Sequence, residues 1–279
     1  MKKNVRFDTP WRRSTVAIYR PPVDSRTYGT LDVDITNLLE YLEKQKQQGI
    51  NLTLTQVVAA ALGRALGVDV PELNAYVKRG KVVSRDNVAV FIAVNIPGVN
   101  EMTGFPVKNI DRKGLKEISE EISARVDKAK AKIEQGATKN KNMLARIPWP
   151  FRTWVFKLIR FVSVGLAMRM NFIGVDPGSF GSAMLSNIGT HGLQYGFAAL
   201  LPASNLPIVI VMGAAQKKPV VINDEIVIRT MLPVAGTFDH RIVDGSQGGK
   251  LANSVSNYLE HPELLEKGLD SAEVKNENT

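Results

Sequence analysis

Strand-like and helix-like segments follow one another along this chain without a regular strand–helix alternation, and this order constrains the fold most. Residues 27–35 alternate between apolar and polar side chains, whereas residues 87–96 form an apolar, β-branched run typical of a buried strand. The mixture predicts an α+β sandwich rather than a doubly wound parallel sheet. The other predicted strands are 15–20, 181–188, 206–217 and 224–238, and a hairpin with its turn at 79–81 is predicted over 72–84. The predicted helices are 36–47, 53–66, 113–134, 246–260 and 262–267.

The composition is that of an ordinary soluble globular protein. The 279 residues are 44% hydrophobic and 23% charged, and the lack of cysteine excludes disulfides, cysteine zinc sites and a cysteine nucleophile. The N-terminus lacks the apolar stretch of a signal peptide, and no apolar run reaches the roughly 18–20 residues that span a bilayer, so we expect a cytoplasmic protein. The net charge of +9 fits a solvated basic surface, or attraction to phosphate-bearing ligands, acidic proteins, nucleic acid or anionic lipid. No nucleic-acid motif accompanies the charge, which argues against nucleic acid.

Only three histidines are available for chemistry, and because their spacing matches no metal-binding motif we expect no metal. His261 lies at a predicted helix junction and His191 in a turn-like Gly-Thr-His-Gly segment, and both are interpreted as structural or solvent-exposed. His240 lies between a predicted strand and a predicted helix, where catalytic groups are often found. A core histidine bonded to its own turn would fit the same pattern.

A second polar group leaves another predicted strand. The segment Ala183-Met-Leu-Ser-Asn-Ile-Gly189 places a hydroxyl at Ser186, followed by an amide and a glycine. A serine here can donate a hydrogen bond to a developing oxyanion, although an ordinary strand-ending turn favours the same residue types. The chain has no Gly-x-Ser-x-Gly elbow and no Walker or Rossmann fingerprint, which argues against a serine hydrolase and against these nucleotide-binding folds.

Together the two motifs resemble those of the catalytic domain of the 2-oxoacid dehydrogenase dihydrolipoamide acyltransferases, relatives of chloramphenicol acetyltransferase. The family motif Asp-His-Arg-x-x-Asp-Gly is complete at 239–245, and the family's Ser-Asn-Leu/Ile-Gly motif matches 186–189. We interpret residues 1–268 as one catalytic domain and 269–279 as a polar tail. Further segments that resemble the family in the same order are 31–36, 71–75, 111–113 and 260–265.

The resemblance implies a two-layer α+β sandwich of the chloramphenicol acetyltransferase type, with a mixed central sheet and helices on one side. It implies an acyl-CoA-dependent enzyme that moves an acyl group between coenzyme A and a thiol, a dihydrolipoyl group in trans, or another small acceptor. His240 would be the general base and Ser186 the oxyanion donor. Asp244 would hold the loop through a structural ion pair with Arg13, and Thr237 would add a hydroxyl near the site.

The resemblance also implies an assembly. The family's active site lies between the subunits of a trimer, so His240 of one subunit would face Ser186 of the next. Components of a 2-oxoacid dehydrogenase-type complex would be partners. The chain departs from the family pattern because its 279 residues hold no lipoyl domain and no peripheral-subunit-binding domain, and because the strand exit at 97–106 is altered.

The segment 135–175 differs from the rest of the chain and replaces a short connection in the family. It contains seven basic residues, no acidic residue and two of the three tryptophans. Its predicted helix from about residue 152 is interpreted as packing on its own domain, as an oligomer contact, or as a membrane-surface helix within 138–172. The alternative to an enzyme is a non-catalytic trimeric assembly protein, although a scaffold would not need His240, Ser186 and Asp244 together.

Overall fold

The computed structural model describes residues 25–94, 103–134, 148, 151–166, 168, 180–200 and 204–269. The predicted strand over 15–20, the candidate ion-pair partner Arg13 and nearly all of the polar tail lie outside the described residues. Within them, no helix is both long enough and apolar enough to cross a membrane.

Seven of the described strands form one mixed sheet. Its order is β1-β9-β7-β6-β4-β5, and β8 pairs with β9 beyond this path. Strands β4, β6 and β7 run parallel to one another, and the other neighbours are antiparallel, while β2 and β3 form a separate hairpin. The strands are β1 (Arg26–Asp34), β2 (Ala75–Lys78), β3 (Lys81–Ser84), β4 (Ala89–Val94), β5 (Thr103–Lys108), β6 (Ala183–Asn187), β7 (Ile208–Met212), β8 (Gln216–Ile222) and β9 (Glu225–Asp239).

Helices cover one face of this sheet. The helices are α1 (Thr36–Gln47), α2 (Leu54–Arg64), α3 (Leu115–Glu134), α4 (Phe151–Arg160) and α5 (Gly245–Glu260). The main core lies where α2 and α5 pack on Val90, Leu185 and Ile210 of the sheet. A smaller cluster that includes Met184 and Val209 lies on the opposite face, since neighbouring residues of a strand point to opposite sides. This is the predicted α+β sandwich with its mixed sheet and with helices on one side.

Local sequence signals explain where these elements begin and turn. Thr53 begins the buried helix α2 through a capping box with Gln56, in which each side chain bonds the other residue's backbone. The turn between β2 and β3 has positive φ at Arg79 (49°) and Gly80 (76°), as a two-residue hairpin of the favoured hand requires.

The single strand predicted over 206–217 is wrong, because the chain breaks into β7 and β8 around Gly213. Its N–H donates to the carbonyl of Pro233 at 2.8 Å, and a Cβ atom there would lie 1.8 Å from the carbonyl oxygen of Gln194. Only glycine permits this close crossing of two distant segments. The turn at 223–224, where both residues have positive φ, therefore joins β9 to β8 and not to β7.

Helix α4, with the π-helical segment 161–165 that follows it, does not bury its apolar side against its own domain. The side chains of Phe151, Trp154, Leu158 and Phe161 are between 60% and 69% exposed. For these four residues the interpretation of a helix packed on its own domain is wrong. The backbone is nevertheless anchored, because the N–H of Arg79 in the β2–β3 turn donates to the carbonyl of Gly165 at 3.3 Å.

Candidate active site

The loop that carries His240 connects β9 to α5 and is tied down at both ends. The backbone N–H of His240 donates to the carbonyl of Ser25 at 2.7 Å, just before β1. The N–H groups of Ile242 and Val243 both donate to the carbonyl of Asp239 at 2.9 Å. The backbone of this loop is therefore hydrogen-bonded before any side chain is considered.

The residues directly before and after His240, Asp239 and Arg241, form one buried ion pair. The side chains of Asp239 and Arg241 are 5% and 8% exposed, and Arg241 Nη2 lies 2.5 Å from Asp239 Oδ2 while its Nε lies 2.9 Å from Oδ1. The same carboxylate accepts hydrogen bonds from the Arg241 N–H and from the Ser25 hydroxyl. A two-pronged pair of this kind fixes orientation as well as charge. It turns the residues before and after the histidine toward the interior.

His240 itself is held in one tautomer. Its Nδ1 lies 2.8 Å from the carbonyl oxygen of Val243. Because a carbonyl can only accept a hydrogen bond, Nδ1 carries the proton and the neutral ring keeps its lone pair on Nε2. A positioned histidine with an unprotonated Nε2 can serve as a general base.

Asp244 supports the histidine and begins the next helix. Its carboxylate oxygen Oδ1 lies 3.7 Å from His240 Nδ1. Asp244 is also the N-cap of α5, where its N–H donates to Gln247 Oε1 at 3.2 Å in a capping box. The predicted ion pair of Asp244 with Arg13 lies outside the described residues and stays a prediction.

Ser186 lies near the end of β6, and the next residue secures its turn. Asn187 donates through Nδ2 to the Thr55 hydroxyl of α2 at 3.0 Å and accepts the Gly189 N–H at 2.9 Å. A Cβ atom at Gly189 would lie 2.4 Å from the carbonyl oxygen of Gly213, so the motif requires glycine here. Ser186 shares the face of β6 that carries Met184, away from the helices.

His240 and Ser186 of one chain lie far apart. Ser186 is in register with Val211 of β7, which is in register with Ala235 of β9, five residues before His240. Two strand spacings across the sheet and five residues along it put the two Cα atoms on the order of 20 Å apart. Their side chains are too short to meet across that distance, so one protomer alone does not bring the two residues to one reacting atom.

The other candidates from the sequence take no part in this arrangement. The hydroxyl of Thr237 is buried without a hydrogen-bond partner among the described residues, and its side chain is 1% exposed, so it does not reach the open site. His191 lies in an exposed turn, and His261 is an exposed helix cap beside Glu263. Within the described ranges, no three acidic or histidine side chains come together to hold a metal ion.

The model of the family described as 2-oxoacid dehydrogenases acyltransferase (catalytic domain) matches residues 25–138 and 171–266. The chain therefore belongs to this family of acyltransferase catalytic domains, as its two motifs predicted.

Two solved structures share the fold. A probable dihydrolipoamide acetyltransferase from Listeria monocytogenes superimposes with a TM-score of 0.62 at 20% identity, covering 96% of this chain and 92% of that one. Chloramphenicol acetyltransferase superimposes with a TM-score of 0.50 at 16% identity, covering 89% and 94% of the two chains. The predicted fold class is confirmed.

A curated relative extends well beyond the matched part. The dihydrolipoyllysine-residue acetyltransferase component of the pyruvate dehydrogenase complex of Rickettsia conorii is 24% identical over 243 residues, which are 85% of this chain and 48% of that protein. The chain thus spans about half the length of the curated relatives it matches.

Two supporting groups were not predicted from the sequence. The Asp-His-Arg triplet places opposite charges two residues apart, and this signal could have found the Asp239–Arg241 pair. The other group is the backbone carbonyl of Val243, which fixes the histidine tautomer. Every residue type has such a carbonyl, so the sequence gives no signal for it.

We expect Arg241→Met to destabilise the protein by about 3–5 kcal/mol, because it leaves the Asp239 carboxylate buried and unpaired. Urea unfolding followed by circular dichroism would measure the loss in unfolding free energy. The double variant Asp239→Leu/Arg241→Met, which removes both charges, should recover part of that loss. Equal stability of the wild type and Arg241→Met would show that the pair does not hold the loop.

Proposed function

We propose that the protein is an acyltransferase that moves an acyl group from acyl-CoA to a dihydrolipoyl thiol. The observation that carries the proposal is the geometry of His240, whose Nδ1 is committed to the Val243 carbonyl while Nε2 keeps its lone pair. Membership in the acyltransferase family supports the same chemistry. Coenzyme A and the lipoyl thiol are substrates in this proposal, and no metal takes part.

The proposed reaction begins when His240 Nε2 takes the proton of the acceptor thiol. The thiolate attacks the carbonyl carbon of the acyl-CoA thioester, and the resulting oxyanion accepts a hydrogen bond from the Ser186 hydroxyl. The intermediate then collapses, the carbon–sulfur bond to coenzyme A breaks, and the leaving thiolate recovers the proton from Nε2. Asp244 stabilises the imidazolium between these two proton transfers.

We infer that the complete site forms between protomers of a homotrimer. The separation of about 20 Å within one chain supports this inference, because Ser186 of a neighbouring protomer would have to complete the site. Exposed apolar side chains support a contact, since Val221, Ile226 and Ile228 of the β8–β9 hairpin are between 69% and 79% exposed. Tyr28 and Phe197 add an exposed aromatic pair with ring centroids 5.1 Å apart.

We expect purified protein to release coenzyme A from acyl-CoA when dihydrolipoamide is the acceptor. His240→Ala should lower kcat by roughly 10²- to 10⁴-fold, because the general base is lost. Ser186→Ala should lower it by roughly 10²- to 10³-fold, because one oxyanion donor is lost. A thiol-release assay measures all three proteins.

The matched control is Ser256→Ala, a serine on α5 well beyond the site, which should keep the wild-type rate. Intact binding of coenzyme A without any turnover would contradict the proposed acceptor. Loss of both binding and turnover would contradict the enzyme and favour the assembly protein.

Mixed trimers test the shared site. Co-expression of His240→Ala and Ser186→Ala chains should restore about a third of the wild-type sites in every mixed trimer, since each site needs an intact histidine from one protomer and an intact serine from its neighbour. Dual-tag purification followed by the thiol-release assay measures the recovery. Two differently tagged His240→Ala chains form the control and should stay inactive. No recovery in mixed trimers of confirmed composition would place both residues in one protomer's site.

A further inference from the structure

A large apolar cavity lies inside one protomer, between the sheet and helices α2 and α5. Its volume is about 430 Å³, within the usual range for small-molecule sites. Leu31 and Phe238 of the sheet form one wall, Leu62 of α2 and Val255 of α5 form the other. The lining residues Tyr28, Gly245 and Gly249 are exposed, so the cavity opens to the surface and a ligand can enter it.

The cavity meets the catalytic loop at one end. His240 and Asp244 both line it, together with Tyr28 of β1. An acyl group whose carbonyl carbon is held at His240 Nε2 therefore has an apolar space beside it, inside the same protomer.

Glycines create much of the space. Gly248 and Gly249 lie in the first two turns of α5, where each glycine costs roughly 1 kcal/mol of helix stability relative to alanine. A Cβ atom at Gly249 would meet nothing within 4 Å, and one at Gly248 would meet only Val243 Cγ1 at 3.9 Å. Packing does not require glycine at either position. What the two glycines do provide is the depth of the cavity.

We propose that this cavity binds the hydrocarbon part of the transferred acyl group, so that the enzyme prefers acyl chains of several carbons to acetyl. The proposal rests on the acyltransferase function proposed above. Because the walls are apolar, each methylene group that enters should improve kcat/KM by about fourfold until the space is filled.

The test compares straight-chain acyl-CoA substrates from two to ten carbons. We expect kcat/KM of the wild type to rise with chain length to a maximum above acetyl. Gly249→Leu, which fills the cavity and improves helix propensity, should lower the ratio of hexanoyl to acetyl activity by at least about 20-fold. Asn253→Leu, which adds the same side chain to the exposed face of α5, should leave the wild-type ratio unchanged.

Calorimetric binding separates this proposal from the proposed function. Hexanoyl-CoA should bind the wild type more tightly than coenzyme A alone, and Gly249→Leu should abolish the difference. Chain-dependent binding without turnover would keep the cavity assignment and overturn the function. Equal binding of the two ligands, or a preference for acetyl that Gly249→Leu does not change, would overturn the cavity assignment.

An independent observation concerns α4 and its continuation. At 100° per residue, Phe151, Trp154, Leu158 and Phe161 fall within roughly 80° of one another, so the four exposed side chains form one apolar stripe. Lys157 borders the stripe, with its Nζ 5.4 Å from the Trp154 ring centroid. A helix with an aromatic apolar face and basic flanks is typical of helices that lie on membranes.

The charge of the sequence from which the stripe is built indicates the occupant. The chain between 139 and 170 carries seven basic residues and no acidic residue, within a protein of net charge +9. The family model does not match this stretch, which lies between its two matched parts, so the family's own contacts do not account for it. We infer that the apolar stripe docks on an anionic lipid surface, where buried apolar area and attraction to the lipid headgroups add.

Vesicle co-sedimentation tests this inference. The protein should sediment with vesicles containing about 30% phosphatidylglycerol, bind phosphatidylcholine vesicles at least about tenfold less, and lose much of its binding in high salt. Trp154→Ser/Leu158→Ser should lower binding to anionic vesicles at least about tenfold. Leu264→Ser, which removes an exposed leucine elsewhere, is the matched control.

Two results would overturn the lipid assignment. The first is an absence of binding to anionic vesicles by the folded wild type. The second is a smaller assembly of Trp154→Ser/Leu158→Ser in light scattering with vesicle binding unchanged, which would make the stripe a contact between copies of this chain.

Discussion

The buried ion pair between Asp239 and Arg241 holds the loop that carries His240 between β9 and α5. Strand β9 ends at Asp239, and residues 240–242 form a turn. Within this turn the side chains of Asp239 and Arg241 are buried, whereas that of His240 is 33% exposed and lines the cavity. The carboxylate of Asp239 also holds the Ser25 hydroxyl, which ties the loop to the start of β1. One ion pair thus fixes the direction of the base, while the Val243 carbonyl fixes its tautomer.

Residue patterns predicted the parts of the site that are local in the chain. The strand before His240 and the helix after it follow from the change of hydrophobic period, and the paired motifs identify the family. The distance between His240 and Ser186 was not accessible this way, because it depends on the order β9-β7-β6 within the sheet. The break between β7 and β8 was missed for a related reason. It arises where Gly213 meets Gln194, a contact between segments that no local periodicity records.

The loop that carries His240 is held rigidly, whereas the first turns of α5, directly after it, leave the cavity open. Every backbone N–H from residue 239 to residue 244 donates a hydrogen bond, yet the helix that follows begins with glycines that weaken it and leave space beside it. Under the proposed function, a fixed His240 would hold the carbonyl carbon of the acyl group at Nε2. The cavity beside it would then distinguish acyl groups by the length of their hydrocarbon chain. Larger residues in place of the glycines would stabilise α5, but they would fill the cavity and leave no space for longer acyl chains.

The three functional surfaces are separable because they lie on different layers. The cavity lies on the helix side of the sheet, and Ser186 lies on the opposite face with Met184. Helix α4 belongs to neither surface, since its backbone is anchored to the turn between β2 and β3, a hairpin outside the main sheet. A membrane contact through α4 would therefore leave both the base and the cavity undisturbed. This arrangement would bring an acyl-transferring site to a lipid surface without altering the chemistry of the family.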